Sequence, residues 1–371
     1  MRDPDFLQAR LDALRSDGRF RSLPPPREGV DFWSNDYLGF SRLLRFTEPA
    51  AGHAPGSRLI SGNSAAAEEL ERRIARFHGH SAALLFGSGY LANLGLLSCL
   101  ARRTDTIVYD EFVHASLRDG IRLSGATARR CRHNDLNFFA RSLSAARSDG
   151  QLFVVTESRF SMDGDTAPLP SLVRLCREYG ARLIVDEAHA TGLDGPSGAG
   201  LVAEYGLQAE IFATVVTYGK APGYHGAAVL GHPDLRDYLV NFCRPFVYTT
   251  APPPAQLAGL QAVYDLLASE QGDAVTALKR ITDYYLRMSA EVVGGVDAVR
   301  SGPIQIIPVP GDEAVMEAER QLGSAGYLVK GIRSPTVAAG SERLRVCLHA
   351  FNSEAEVDGL LQTLSSLNLI G

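Results

Sequence analysis

Short apolar runs rich in β-branched residues alternate along this chain with stretches whose apolar positions recur at helical spacing. T-I-V-Y-D (106–110), Q-L-F-V-V-T-E (151–157), R-L-I-V-D (182–186) and I-F-A-T-V-V-T (211–217) are nearly continuous in apolar character. Such runs form strands buried on both faces, as in a parallel sheet covered by helices. Between them, A-E-E-L-E-R-R-I-A-R-F-H (67–78) puts Leu70, Ile74 and Phe77 on one face, with Asn63 or Ser64 as its cap. L-P-S-L-V-R-L-C-R-E-Y (169–179) is a second amphipathic helix, stopped by Gly180. This alternation predicts an α/β fold with a mostly parallel sheet flanked by helices.

The pattern changes at Pro252-Pro253-Pro254. I-Q-I-I-P-V and R-L-R-V-C-L-H-A read as strands beyond it, with helices over E-A-V-M-E-A-E-R-Q-L and A-E-V-D-G-L-L-Q-T-L. The expected organisation is an N-terminal segment (1–48), a large domain (49–252) and a smaller α/β C-terminal domain (253–371). Residues 5–16 carry Phe6, Leu7, Leu11 and Leu14 at helical spacing.

Composition narrows the class. A net charge of −5 leaves no basic excess for nucleic acid or an anionic membrane. The five cysteines are scattered without a C-x-x-C, which favours reduced thiols over disulfides or a zinc site. M-R-D-P-D-F-L-Q-A-R lacks the apolar core of a signal peptide, and no apolar run is long enough to span a bilayer. A cytoplasmic protein is expected.

Only three of the 37 basic residues are lysines, and Lys220 sits in the glycine-studded turn T-Y-G-K-A-P-G-Y-H-G between two apolar runs. A partly desolvated lysine becomes a neutral amine, able to form a Schiff base or move a proton, whereas arginine stays charged. F-G-S-G-Y-L-A-N delivers the chain through a glycine turn into a helix N-terminus, a natural phosphate seat. Polar residues close the strands: Asp110 and His114, Glu157 and Ser161, Asp186 and His189, Thr217 and Lys220. In open parallel sheets, ligands bind outside those carboxyl ends.

An amine, a phosphate seat and a strand-end carboxylate are the set that pyridoxal phosphate (PLP) requires. D-E-A-H also matches the acidic box of a nucleotide-hydrolysing motor, but no G-x-x-x-x-G-K-[ST] loop is present to hold the nucleotide. The spacing of Asp163, Asp165, Asp186 and His189 matches no metal-ligand set, so no metal is expected.

S-N-D-Y-L-G, G-S-R-L-I-S-G-N, L-F-G-S-G-Y-L-A-N, D-E-F-V-H-A-S, E-S-R-F-S-M-D-G-D-T-A-P-L, V-D-E-A-H-A-T-G, T-Y-G-K-A-P-G and R-S-P-T-V…R-L-R-V follow one another in this order. Together they resemble the α-oxoamine synthases, PLP enzymes of the aspartate-aminotransferase fold (fold type I), over nearly the whole chain. The resemblance is closest to the member that condenses L-alanine with a pimeloyl thioester carried by coenzyme A or acyl carrier protein. Members using glycine or serine, or another acyl thioester, are the alternative.

The resemblance implies a role for each matching residue. Lys220 carries PLP and later moves the substrate α-proton. Asp186 pairs with the pyridine nitrogen, His114 stacks on the ring, and His189 and Ser161 bond its phenolic edge. Ser88, Gly89, Tyr90 and Thr217 hold the phosphate, and Thr249 or Thr250 reaches the phosphate of the other subunit of a homodimer. Asn35 and Arg345 receive the amino-acid carboxylate, with Arg343 the alternative, while Thr336 and Arg21 approach the acyl substrate. The stretch between Gly39 and Gly56 is shorter than in the family pattern, and Ala65-Ala66-Ala67 stands where relatives often carry a histidine. Both departures bear on the acyl entrance.

Overall fold

The computed structural model describes residues 5–20, 27–45, 54–146, 150–293 and 302–370. The chain divides into two compact units: Asn35–Lys279 with His349–Phe351, and a smaller one of the residues up to Ser34, Arg280–Leu348 and those from Asn352 on. The boundaries therefore fall at 34/35 and 279/280, where the sequence pattern points to 48/49 and 252/253. Helix Pro254–Ser269 explains one displacement. Its buried Tyr264 meets His78 Nε2 at 3.0 Å and the Tyr218 hydroxyl at 3.1 Å, which ties it to the larger unit. Tyr37 and Phe40, both fully buried in the larger unit, explain the other.

The smaller unit opens with the short strand β1 (Val30–Asp31), where Asp31 Oδ1 accepts from the N–H groups of Trp33 and Ser34 and turns the chain. The larger unit is built on seven strands: β2 (Ala82–Phe86), β3 (Thr106–Asp110), β4 (Thr127–Cys131), β5 (Leu152–Glu157), β6 (Arg182–Asp186), β7 (Ala213–Thr217) and β8 (Ala227–Gly231). Their order is β2-β8-β7-β6-β5-β3-β4, with β8 antiparallel to both neighbours and the pairs from β7 to β4 parallel. In the smaller unit, β9 (Ile304–Pro308) and β11 (Lys330–Ile332) flank β12 (Arg343–Cys347) antiparallel, and β10 (Tyr327–Leu328) pairs with β1.

Alternation along the strands sends side chains to opposite faces. Ile107, Phe153, Val155, Ile184 and Val215 pack with helices Gly89–Leu100, Ala115–Ser124 and Pro233–Phe242. Val108, Val154, Leu183 and Val185 pack on the other face with helices Leu136–Ser144 and Leu169–Tyr179. Each such side chain contributes about 1.5–3 kcal/mol on burial, so the two apolar layers hold the sheet. β4 is the exception: T-A-R-R-C is an edge strand with largely exposed side chains, and its sequence carries no apolar run.

Ser64 caps helix Ala65–His78, its hydroxyl accepting from Ala67 N at 3.2 Å. On that helix, Glu71 is 3% exposed and takes two hydrogen bonds from Arg58, at 2.8 and 3.3 Å, and one from the β2 residue Leu85 N at 3.0 Å. Breaking one partner of a buried pair leaves the other charge uncompensated. Arg58→Ala is expected to lower stability by about 3 kcal/mol, read from urea denaturation. Arg236→Ala, removing a half-exposed arginine 3.6 Å from the same carboxylate, is expected to cost less than ~1 kcal/mol.

Candidate active site

The carboxyl ends of β5, β6 and β7 open onto a cavity of about 230 Å³. Asn35, Ser88, Gly89, Tyr90, His114, Ser161, Asp186, His189, Thr217 and Lys220 all line it. Ten positions scattered over the sequence thus come together within one unit.

Lys220 stands in the turn that joins β7 to antiparallel β8. Tyr218 N donates to Gly226 O at 3.0 Å and Gly223 N to Lys220 O at 2.8 Å. Gly223 has φ +68°, and a Cβ there would lie 2.3 Å from Ser41 N. Any other residue would therefore push the turn off the Phe40–Ser41 backbone.

Asp186, the last residue of β6, is 4% exposed. Its Oδ1 accepts from Ala188 N at 2.9 Å and its Oδ2 from Asn93 Nδ2 at 2.6 Å. Glu157 ends β5 in register beside it and accepts from His114 N at 2.6 Å. Burial, and after it the charge of Asp186, pushes the Glu157 carboxyl up to about 8. Partial desolvation holds the His114 ring below the ordinary histidine value, with Lys220 adding to the effect and Asp186 opposing it.

Helix Gly89–Leu100 starts at the cavity wall. Ser88 is its N-cap, with Oγ accepting from Leu91 N at 3.3 Å. The first-turn N–H groups have no intrahelical acceptor, and the helix dipole adds positive potential there. Gly89 lets the turn approach β7, since a Cβ would lie 2.5 Å from Thr217 Cγ2. The Thr217 hydroxyl oxygen is buried and has no hydrogen-bond partner among the described residues. An N-terminal turn facing an orphaned hydroxyl is a seat for a tetrahedral oxyanion.

Tyr37, buried within the same unit, donates to Asn35 Oδ1 at 3.0 Å and meets His189 Nδ1 at 3.0 Å. The other expected residues that the structure describes are not among those lining this cavity. Thr249 and Thr250 line a separate cavity with Arg58 and Gln256. Thr336 is exposed in the smaller unit, and Arg345 is buried on β12. Arg343, two residues away on that strand, donates from Nε to Ser341 O at 2.8 Å. Arg21 lies outside the described residues.

The sequence pattern gave no role to Asn93, Ser116 or Tyr37, and marked Glu157 only as a polar residue at a strand end. Asn93 had a visible signal, an amide inside an otherwise apolar helix.

The loop carrying Ser161 is anchored by His133. Its Nδ1 meets Asp110 Oδ1 at 2.9 Å and its Nε2 meets Asp165 Oδ2 at 2.7 Å. Burial alone would lower this imidazole's proton affinity; the two aspartates overcome it and raise the value to about 10.

Residues 27–364 match the aminotransferase class I and II family, and the chain belongs to it. It is 42% identical over 344 residues to the 8-amino-7-oxononanoate synthase of Methylococcus capsulatus, covering 91% of this chain and 88% of that protein. A serine palmitoyltransferase from S. paucimobilis, solved with a bound PLP–myriocin aldimine, superposes with a TM-score of 0.84 at 25% identity, covering 99% of this chain and 98% of that one. The 8-amino-7-oxononanoate synthase of Francisella tularensis does so with a TM-score of 0.75 at 27% identity, covering 92% and 98%. These relatives agree with the α/β fold and the α-oxoamine synthase resemblance read from the sequence.

The His133 clamp predicts a pH dependence of stability. Its folded-state value lies above the ordinary 6.5, so its contribution is complete below 6.5 and is lost as pH climbs through about 10. The gap in unfolding midpoint between the parent chain and His133→Gln should therefore be widest near about pH 6 and narrow steadily towards about pH 10. A gap that stays constant with pH would show that the imidazole is not held charged.

Proposed function

We infer that this chain is a PLP-dependent α-oxoamine synthase that makes 8-amino-7-oxononanoate, a step of biotin biosynthesis, from L-alanine and a pimeloyl thioester. The observation that carries the reading is the single cavity holding Lys220, Asp186 and a helix N-terminus beside the orphaned Thr217 hydroxyl. These residues fit the cofactor: an amine for its aldehyde, a carboxylate for its ring nitrogen, and oxyanion donors for its phosphate. PLP, when bound, supplies an electron sink for the pair left on the amino-acid Cα.

The protein's part is to bind, orient and move protons. Ser88, Gly89, Tyr90 and Thr217 would hold the phosphate, and Asp186 would hold the ring-nitrogen proton. His114 would cover the ring, and His189 and Ser161 would bond its phenolic edge. The Lys220 amine, in its neutral form, would take the α-proton as a base. The Cα then forms a bond to the acyl carbonyl carbon, the carbon–sulfur bond breaks, and the carrier leaves as a thiol. Loss of CO₂ from the resulting β-keto acid and return of a proton to Cα complete the product.

Asn35 and Arg345 are assigned to the amino-acid carboxylate. Arg345 is preferred to Arg343 because it is buried on β12, where a carboxylate would be paired with it out of water. Thr336 and Arg21 are assigned to the acyl chain. Serine with a longer acyl thioester is the second reading, favoured by the TM-score of 0.84 to serine palmitoyltransferase. The 42% identity to an 8-amino-7-oxononanoate synthase supports alanine and a pimeloyl thioester as the first reading.

The working unit is a homodimer in the cytoplasm. Ile60 and Tyr248 are 85% and 73% exposed, on segments joined by the Ala251 N–Gly56 O hydrogen bond of 3.0 Å. Thr249 and Thr250 follow Tyr248 directly on one of these segments and are assigned to the phosphate of a second copy. No helix among the described residues is long and apolar enough to cross a membrane.

Purified protein with PLP, L-alanine and pimeloyl-CoA or the acyl-carrier-protein thioester should release CO₂ and 8-amino-7-oxononanoate, read by mass spectrometry. Faster turnover with serine and a long acyl thioester would sink the assignment in favour of the second reading. Lys220→Ala is expected to lower turnover by ~10³-fold or more and to abolish borohydride trapping of PLP on the protein. Mixing Lys220→Ala chains with Thr249→Val/Thr250→Val chains should restore about a quarter of parental activity, because about half of the dimers formed are mixed and each of those carries one complete site of two. No recovery on mixing would exclude sites shared between copies.

A further inference from the structure

Asn93 is 2% exposed on helix Gly89–Leu100 and lines the cavity. Its Nδ2 lies 2.6 Å from Asp186 Oδ2 and 3.0 Å from Ser116 Oγ. A carboxylate accepts only, so the amide nitrogen must face Asp186, and its two hydrogens divide between the carboxylate and the serine. The cost of this orientation is visible, because Asn93 Oδ1 is buried without a partner among the described residues.

Ser116 Oγ, fully buried, therefore accepts from Asn93 and has one hydrogen left to give. His114 Nδ1 stands 2.8 Å away, and Ser116 N also points at it, at 3.3 Å. An imidazole nitrogen that receives two donors carries no proton of its own. Close packing fixes the spacing: a Cβ on Gly120, one turn beyond Ser116, would lie 2.9 Å from the Asn93 carbonyl oxygen. Around the ring stand Asp186, Lys220, Arg118 and Asp119, with Tyr90 edge-on at 6.4 Å and Glu157 on the His114 N–H.

We propose that Asn93 is a positioning residue which, by donating to both Asp186 and Ser116, compels the Ser116 hydroxyl to donate to His114 Nδ1 and keeps that imidazole neutral. One amide thus links the carboxylate assigned to the cofactor's ring nitrogen with the histidine assigned to its face. A charged imidazolium there would oppose the positive ring nitrogen that Asp186 is placed to hold. The catalytic meaning rests on the PLP reading above; the hydrogen-bond relay does not.

Two variants test it, with the His114 ring titration in the cofactor-free protein as the first readout. The signal is followed by NMR and assigned with His114→Gln. Ser116→Ala removes the donor to Nδ1 and should raise the midpoint by ~0.5 pH unit. Asn93→Asp puts an acceptor of the same shape where the donor stood; the Ser116 hydroxyl then turns towards it, and the midpoint should rise by ~1 unit or more. The second readout is the ratio of the absorption bands of the PLP-loaded protein at one fixed pH. Asn93→Asp should change it at least ~2-fold and Ser116→Ala by less, since of the two only Asn93 touches Asp186. A midpoint unmoved in both variants, or moved by Ser116→Ala alone, overturns the proposal. Failure to take up PLP would count against the functional reading, and the first readout would still decide the relay.

Discussion

A carboxylate buried at the end of the central strand is the constraint that the site is built to satisfy. Asp186 is nearly inaccessible, and a buried charge is tolerated only with hydrogen bonds or a counter-charge. It receives one hydrogen bond from Ala188 N and one from Asn93 on a different helix. Glu157, in register on β5, gives way: its own burial, and after it the charge of Asp186, pushes its carboxyl up to about 8. The elements around β6 are thus arranged to keep one negative charge in a set position facing the cavity.

The same constraint settles the competing reading of D-E-A-H. Successive residues leave the end of a strand on opposite sides, so Asp186 and Glu187 cannot act as a pair of ligands on one face. Glu187 points away and accepts from Val202 N at 2.9 Å. Gly200 makes room for it: φ there is +98°, and a Cβ would lie 2.2 Å from Glu187 Oε2. The second acid of the motif is therefore spent on loop structure.

What the sequence reveals follows the period of the signal. Strands buried on both faces are continuous apolar runs and can be placed closely from pattern alone. The edge strand β4 cannot, because Arg129 and Arg130 occupy a largely exposed ladder. Domain limits were displaced because tertiary anchors such as Tyr264 outweigh the local proline signal. Strand ends identify Asp186, Thr217 and Ser161, since polarity after an apolar run is a local feature. The contributions of Asn93 and Ser116 are not local: they arise where two helices meet through Gly120, and no spacing rule reports that.

The turn carrying Lys220 shows why S-N-D-Y-L-G-F belongs to the site though it lies far away in sequence. The lysine needs a tight turn to reach the cavity, and that turn rests directly on the backbone of Phe40 and Ser41. Only glycine at 223 allows an approach this close at positive φ. With Phe40 held there, Tyr37 is brought in to bridge Asn35 and His189. A segment that reads locally as a polar turn is therefore fixed twice, by the turn that carries Lys220 and by a buried phenol. The same contacts account for the unit boundary falling before Asn35.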